Sequence, residues 1–512
     1  MGKIYAILAR YFKKHRLIIL VFIYLTTRLI KINILPIFND EAIWIDWGYR
    51  AVNLKGFLFY SLLDAKPPLL MWIFGLAQKV ISDPLTSGRV VSVIFGLLTL
   101  IGVYKISQKL FTNNFAVISS ILYIVNPLFL FFDRQALMES AISSVGVWSF
   151  YFLNRLLKTR SKKSAFLLGL ILALGYFIKS NALIFLLVAL VLVAYQVVRS
   201  GRKKALKQID NLLITLGVFL LTVFPLIMQQ GFWTSLPQNS KYALTFPEII
   251  RFPINSWLIN TLYFFEILLV YSNPLIFISF FISIYLLLKS KEKTKILFYY
   301  FLGCVLIVIF IARLINVRYL VSFLPLSTIL TALFLENLYL KFKAWGVIMI
   351  VLSILPSLII SYLLIADPLT YFNILNKFTN HSQKNGYVAN WTSGYGFEEV
   401  REFLEKTAKD KKIIVGVRAD AGIPENAVFA FFLKSQNIIP SVFDSQTLPK
   451  EIFEYDCLAI DLPFYFVSRD GHLTNLNKFF DEVKRFYKPE GERFIGIHKL
   501  KENCQGKIFE IK

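Results

Sequence analysis

Between Leu17 and Ala366 the chain alternates long apolar stretches with short polar gaps. A run of roughly 17–25 apolar residues is long enough for a helix to cross a bilayer. That criterion predicts helices near 17–35, 88–108, 115–132, 137–157, 164–178, 181–198, 210–228, 273–288, 296–312, 319–338 and 344–365, about eleven spans in all. Beyond residue 366 the pattern changes. "GFEEVREFLEKTAKDKK" has helical periodicity with acids early and bases late, and "LNKFFDEVKRFY" also reads as an amphipathic helix. "IIVGV", "DCLAIDL" and "RFIGIHKL" read as strands. The pattern predicts an α-helical polytopic membrane protein over residues 1–365, followed by an α/β domain over residues 366–512.

Composition agrees, since 56% of the residues are hydrophobic and 49 are Phe, far above an ordinary soluble domain. The net charge of +24 changes the picture only through its distribution. Residues 366–512 hold 20 basic and 20 acidic side chains, so the whole excess lies in the first 365, with 36 bases against 12 acids. This is a topology signal, and it argues against nucleic acid as a partner. The basic clusters, from Lys13, Lys14 and Arg16 to Lys341 and Lys343, fall in alternate gaps. By the positive-inside rule the N-terminus is cytoplasmic, and the C-terminal domain is extracytoplasmic on a multi-pass cell-membrane protein. The first apolar run is too long, and lacks the small-residue cleavage site, for a removable signal peptide, so it is expected to remain as a span.

On this topology most acids of the membrane part fall on the outer side, where "LPIFNDEAIWIDWGYRAV" places Asp40, Glu41 and Asp46 directly after the first span. Carboxylates gathered on one face suggest outward-facing chemistry, although solvated loop charges would give the same pattern. Farther on, Asp64 and Lys66 precede Pro67-Pro68, which forbids a helix before it and permits one after. There is no Walker-type or GxGxxG loop. The four His form no ligand cluster, so a divalent metal would need a carboxylate-only site and is not expected to be required.

Asp40-Glu41 after the first span, the Tyr60, Asp64 and Lys66-Pro67-Pro68-Leu69 pattern, "DRQALMES", "GLILALGYFIKSNAL" and "RYLVSFLP" occur in an order that resembles the GT-C glycosyltransferases. Within that class the chain looks like the bacterial form of the protein O-mannosyltransferase and aminoarabinose transferase superfamily, and the outer stretch "NWTSGYGFEEVREFL" is similar to a segment after the last span of bacterial members. The resemblance implies an inverting enzyme that takes a sugar from a polyprenyl-phosphate donor, undecaprenyl phosphate in bacteria, to a hydroxyl of a lipid, glycan or protein. It implies Asp40 as the base, Asp133 as a second acidic position, and Lys179 and Arg318 as phosphate-binding cations. Glu41 supports, because neighbouring side chains on a helix diverge by about 100° and do not reach one hydroxyl together. Asp64, Lys66, Arg134 and Arg313 are further candidates, with a local ion pair to Asp133 or Glu139 as the equal alternative for Arg134. A lipid or sugar transporter would instead place its charges near the bilayer midplane. A non-catalytic receptor would leave the acid-rich loop unexplained.

Overall fold

The apolar stretches fold as helices in the computed structural model, which describes residues 2–289, 292–443, 462–470 and 474–501. Among the described residues six helices are long and apolar enough to cross a membrane, or seven if one bent pair counts as a single span, fewer than the eleven expected. The bent pair is Asn113–Val125 and Pro127–Asp133, which meet at 67° where the sequence predicts one continuous helix. Asn126 makes the break: its side chain accepts the Leu128 and Phe129 N–H groups, capping the second helix, and Pro127 occupies that helix's first position.

One of these six candidate spans is absent from the sequence-based set. Ile254–Ser272 is the least apolar of the candidate spans, because Asn255, Asn260, Thr261 and Glu266 interrupt it. Asn260 is buried and donates to the Ile309 and Ala312 carbonyls at 3.0 and 2.8 Å, fastening this helix to the C-terminal end of Glu292–Ile311. The following helix, Pro274–Leu288, is apolar but shorter.

The chain packs as two compact units drawn from interleaved segments. The first comprises Met1–Ile32, Leu54–Ile73 and Arg89–His381. The second takes Asn33–Asn53, Phe74–Gly88 and the described residues from Ser382 onward. In the second unit a five-stranded sheet has the order β2-β1-β3-β5-β4, with β1 (Ile413–Val417), β2 (Ile438–Val442), β3 (Phe464–Arg469), β4 (Phe480–Tyr487) and β5 (Phe494–Leu500). β1 is parallel to β2 and β3, whereas β5 is antiparallel to β3 and β4. Val415, Phe466 and Ile497 lie in its core, as do Val400 and Leu404 of the helix Phe397–Thr407.

β4 corrects the helix expected for "LNKFFDEVKRFY". Phe479, Phe480, Val483, Phe486 and Tyr487 recur at helical spacing, but pairing with β5 decides the conformation, with a register shift between Glu482 and Lys484. Its exposed charges suit an edge strand, which they protect from pairing with another chain. The expected strand "DCLAIDL" lies outside the described residues, apart from Leu462 at its end.

In the first unit, the approach of the helix Met138–Thr159 to the segment after Arg318 depends on Gly146. A Cβ there would lie 2.3 Å from the Ser322 carbonyl oxygen and 2.8 Å from the Phe185 ring. Ser143 donates to the Val321 carbonyl at 2.7 Å along the same seam. Gly146→Ala should therefore lower the melting temperature of the detergent-solubilised protein, with an overpacking cost of about 1–3 kcal/mol. Gly217→Ala, whose Cβ meets nothing within 4 Å, should be neutral or stabilising in the same measurement.

Candidate functional site

Three helix termini of the first unit bring one acid and two bases together. Glu139 lies in the first turn of Met138–Thr159, where the helix dipole favours a carboxylate. Lys179 follows the last turn of Lys162–Ile178, where the dipole favours a cation, and its extended backbone turns the chain out of the helix. Arg318 sits in the short helix Val317–Leu320, started by Asn316, whose side chain accepts the Arg318 N–H at 3.0 Å. Lys179 Nζ lies 2.9 Å and Arg318 Nε 2.8 Å from the same Glu139 oxygen, and Arg318 Nη2 lies 3.4 Å from the other. The carboxylate is fully buried, whereas each cation keeps about a fifth of its side-chain surface exposed.

Lys66 adds to this field. It is close enough for its charge to act on Lys179, and its ammonium lies 5.4 Å from the centre of the Tyr242 ring. Lys179 and Arg318 together carry two positive charges against the single carboxylate they share. Such a cluster is suited to an anion such as a phosphate.

Asp133 takes a different place. It is buried, and it accepts hydrogen bonds from Tyr24 (3.1 Å), Tyr123 (3.0 Å) and Ser140 (2.9 Å), with Arg28 Nε at 3.4 Å. This network ties together the helices that carry those residues. Gly96 is part of the fit, because a Cβ there would lie 2.4 Å from the Asp133 carboxyl.

Arg134 pairs with neither Asp133 nor Glu139. Its guanidinium donates to the carbonyls of Thr27, Arg28, Ile30 and Lys31 at 2.6–3.0 Å, satisfying acceptors at the end of the helix Gly2–Leu29. Arg28 does the same for the next break, donating to the Ile124 carbonyl at 2.7 Å. Arg313 is held in an exposed bidentate pair with Glu248, at 3.0 Å on both arms. The Thr245 backbone and hydroxyl, with that guanidinium, hold the Glu248 carboxyl down at about 2. Asp64 is exposed at the end of the short helical turn Tyr60–Asp64.

Asp40 and Glu41 belong to the second unit, in the first turn of Asn39–Asn53. Asp40 is half-buried. Glu41 is fully buried and accepts the Phe38 N–H at 3.0 Å, so it shapes the chain entering the helix. Asp46 pairs with Arg50 one turn later at 2.9 Å. Among the described residues no group of three or more His, Cys, Asp and Glu side chains is arranged to hold a metal ion.

Glu139 is the residue that sequence reasoning did not single out. A signal existed, because a lone carboxylate in an apolar helix requires a partner. What the sequence lacked was the identity of that partner, 40 and 179 positions away.

Residues 65–228 match the family model described as dolichyl-phosphate-mannose-protein mannosyltransferase. In three dimensions the chain is similar to ArnT from Cupriavidus metallidurans bound to undecaprenyl phosphate, at 13% sequence identity and a TM-score of 0.56, over 94% of this chain and 96% of that one. It is also similar to the Archaeoglobus fulgidus oligosaccharyltransferase in complex with zinc and sulfate, at 13% identity and a TM-score of 0.53, over 93% of this chain and 72% of that one. The chain has a GT-C glycosyltransferase fold. No curated protein matches it in sequence.

Within this GT-C fold, the segment matching the family model contains Lys66, Asp133, Arg134, Glu139 and Lys179, whereas Asp40 and Arg318 lie outside it. Arg318 is joined to the matched segment through Glu139. Removing that carboxylate leaves two cations facing each other with no shared counter-ion. Glu139→Ala should destabilise the protein by about 3–5 kcal/mol, the usual consequence of breaking a buried pair from one side. Thermal unfolding in detergent measures this, and Glu139→Gln, which keeps the shape and one acceptor oxygen, should lose less.

Proposed function

We propose that this protein is an integral membrane glycosyltransferase that moves a sugar from a polyprenyl-phosphate donor to an acceptor hydroxyl with inversion at the anomeric carbon. The observation that carries this reading is the convergence of Lys179 and Arg318 on Glu139, with the charge of Lys66 nearby. In the reaction the acceptor oxygen forms a bond to the anomeric carbon as the bond from that carbon to the phosphate oxygen breaks. The acceptor proton goes to a base, assigned to Asp40, and the electron pair leaves with the phosphate. The departing polyprenyl phosphate is already a stable anion. One carboxylate therefore suffices, unlike the two required by glycosidases.

The cations bind the donor phosphate and stabilise the charge that grows on it. Undecaprenyl phosphate, present in the ArnT complex, is the donor lipid this likeness supports. The acceptor is a hydroxyl on a lipid, a glycan or a protein. The basic clusters at alternate helix ends support a cytoplasmic N-terminus and chemistry on the outer face of the cell membrane.

The two roles separate experimentally. Asp40→Asn should keep donor binding and lose turnover by about 10²- to 10⁴-fold. Lys179→Ala and Arg318→Ala should weaken both, each by about 10- to 100-fold in donor affinity, since a charge-assisted contact is present before and during transfer. Binding of labelled undecaprenyl phosphate and transfer from a labelled polyprenyl-phosphate sugar are the two readouts; full turnover in Asp40→Asn would remove the base assignment.

The reading also requires no metal, because side-chain cations provide the positive charge. Turnover should persist at the parental rate in excess EDTA, and its loss with recovery on adding a divalent cation would contradict this part of the proposal.

A further inference from the structure

Within the second unit, the N-terminus of the helix that carries Asp40 is held mainly by residues some 350 positions away in sequence. The Asn39 N–H donates to the Thr392 carbonyl at 3.1 Å, and the Asn39 side-chain oxygen accepts from Asn426 Nδ2 at 2.8 Å. Phe38 stacks on Tyr387 with ring centres 4.2 Å apart. Gly394 passes so close beneath Ile37 that a Cβ there would lie 2.0 Å from the Ile37 carbonyl oxygen. No other residue type fits that approach without displacing the segment leading into Asp40.

The loop making these contacts is itself braced from the sheet. Lys488, immediately after β4 and 3% exposed, donates to the carbonyls of Asn390 at 2.7 Å and Ser393 at 3.0 Å. Arg493 adds a bond to the Asn390 side chain at 3.0 Å. An ammonium buried this deeply is costly unless hydrogen-bonded, and its partners here are loop carbonyls. The support thus runs from the sheet through Lys488 and the 390–394 loop to Asn39, next to Asp40.

We infer that the α/β part of the second unit is a positioning scaffold for Asp40, with Gly394 and Lys488 as positioning residues that act through the place of its helix terminus. This rests on the reading of Asp40 as the base. Misplacement of a catalytic group by about 1 Å costs on the order of 10²-fold in rate, so a precise brace has a kinetic consequence separate from folding.

The experiment uses the full-length protein in nanodiscs. Lys488→Met and Gly394→Ala are each made alone and combined with Asp40→Asn, with turnover, donor KM and hydrogen exchange over residues 37–42 as readouts. Each single variant should lower kcat by about 10- to 100-fold, leave donor KM within about twofold, and speed exchange of the Asn39 amide. Lys488→Arg should recover part of the loss. In the Asp40→Asn background the same substitutions should add less than about twofold, because there is no longer a base to misplace. Losses that multiply in that background, or parental kcat despite faster exchange, would overturn the positioning role while leaving the base assignment intact. Parental turnover in Asp40→Asn alone would instead remove the base and the positioning role together. If Gly394→Ala does not fold, Asn426→Ala, which removes only the bond to Asn39, takes its place in the same scheme.

Discussion

A charge inside an apolar helical bundle must find its counterpart within the same chain, because lipid supplies none. Much of the first unit follows from that requirement. Glu139, at the start of its helix, is answered by two cations from separate helix ends. Arg28 and Arg134 answer carbonyls left open where helices stop. Asp133 is answered by two tyrosines, a serine and Arg28. These groups lock helix ends against one another, and the ends are where the chemistry-bearing residues lie.

The same requirement separates cations already saturated by the fold from those left partly exposed. Arg134 has its guanidinium engaged by several backbone carbonyls and is buried, which leaves it little to offer a ligand. Lys179 and Arg318 share one carboxylate between them and keep part of their surface exposed. Charge left partly exposed in this way is open to a ligand, which is why the proposed phosphate site rests on this pair, whereas an arginine saturated by carbonyls holds a fold together. Arg313, exposed and neutralised by Glu248, belongs to a surface loop. Three arginines and a lysine that look alike in sequence therefore differ in how much of their charge is already used.

The second unit has another organising interaction, the burial of the Ile37–Glu41 segment against a loop and helix from far along the chain. Gly394 and Gly75 each allow a backbone approach that any Cβ would block, Gly75 against Gly48 in the Asp40 helix. An α/β part carrying no recognised activity motif thereby has a structural relation to the acid-rich helix. The sequence hinted at this only through the likeness of "NWTSGYGFEEVREFL" to family members, which carried no indication of what the segment touches.

By itself the sequence determined the helical bundle and the mixed C-terminal part, because period, length and charge distribution are local properties. Asp40, Lys179 and Arg318 were nameable from motif order. Local reading failed where a distant partner outweighs the local pattern: Asn126 and Pro127 break a stretch that hydropathy joins, Asn260 earns its place in a helix through carbonyls of a neighbour, and "FDEVKRFY" becomes an edge strand through β5. Only the tertiary structure decided that Glu139 joins Lys179 to Arg318, that Arg134 is a helix cap, and that Asn39 is held by Thr392 and Asn426. The physical reason is the same in each case: a buried polar group is satisfied by whichever partner the packing brings within hydrogen-bonding distance, and separation along the chain carries no information about that distance.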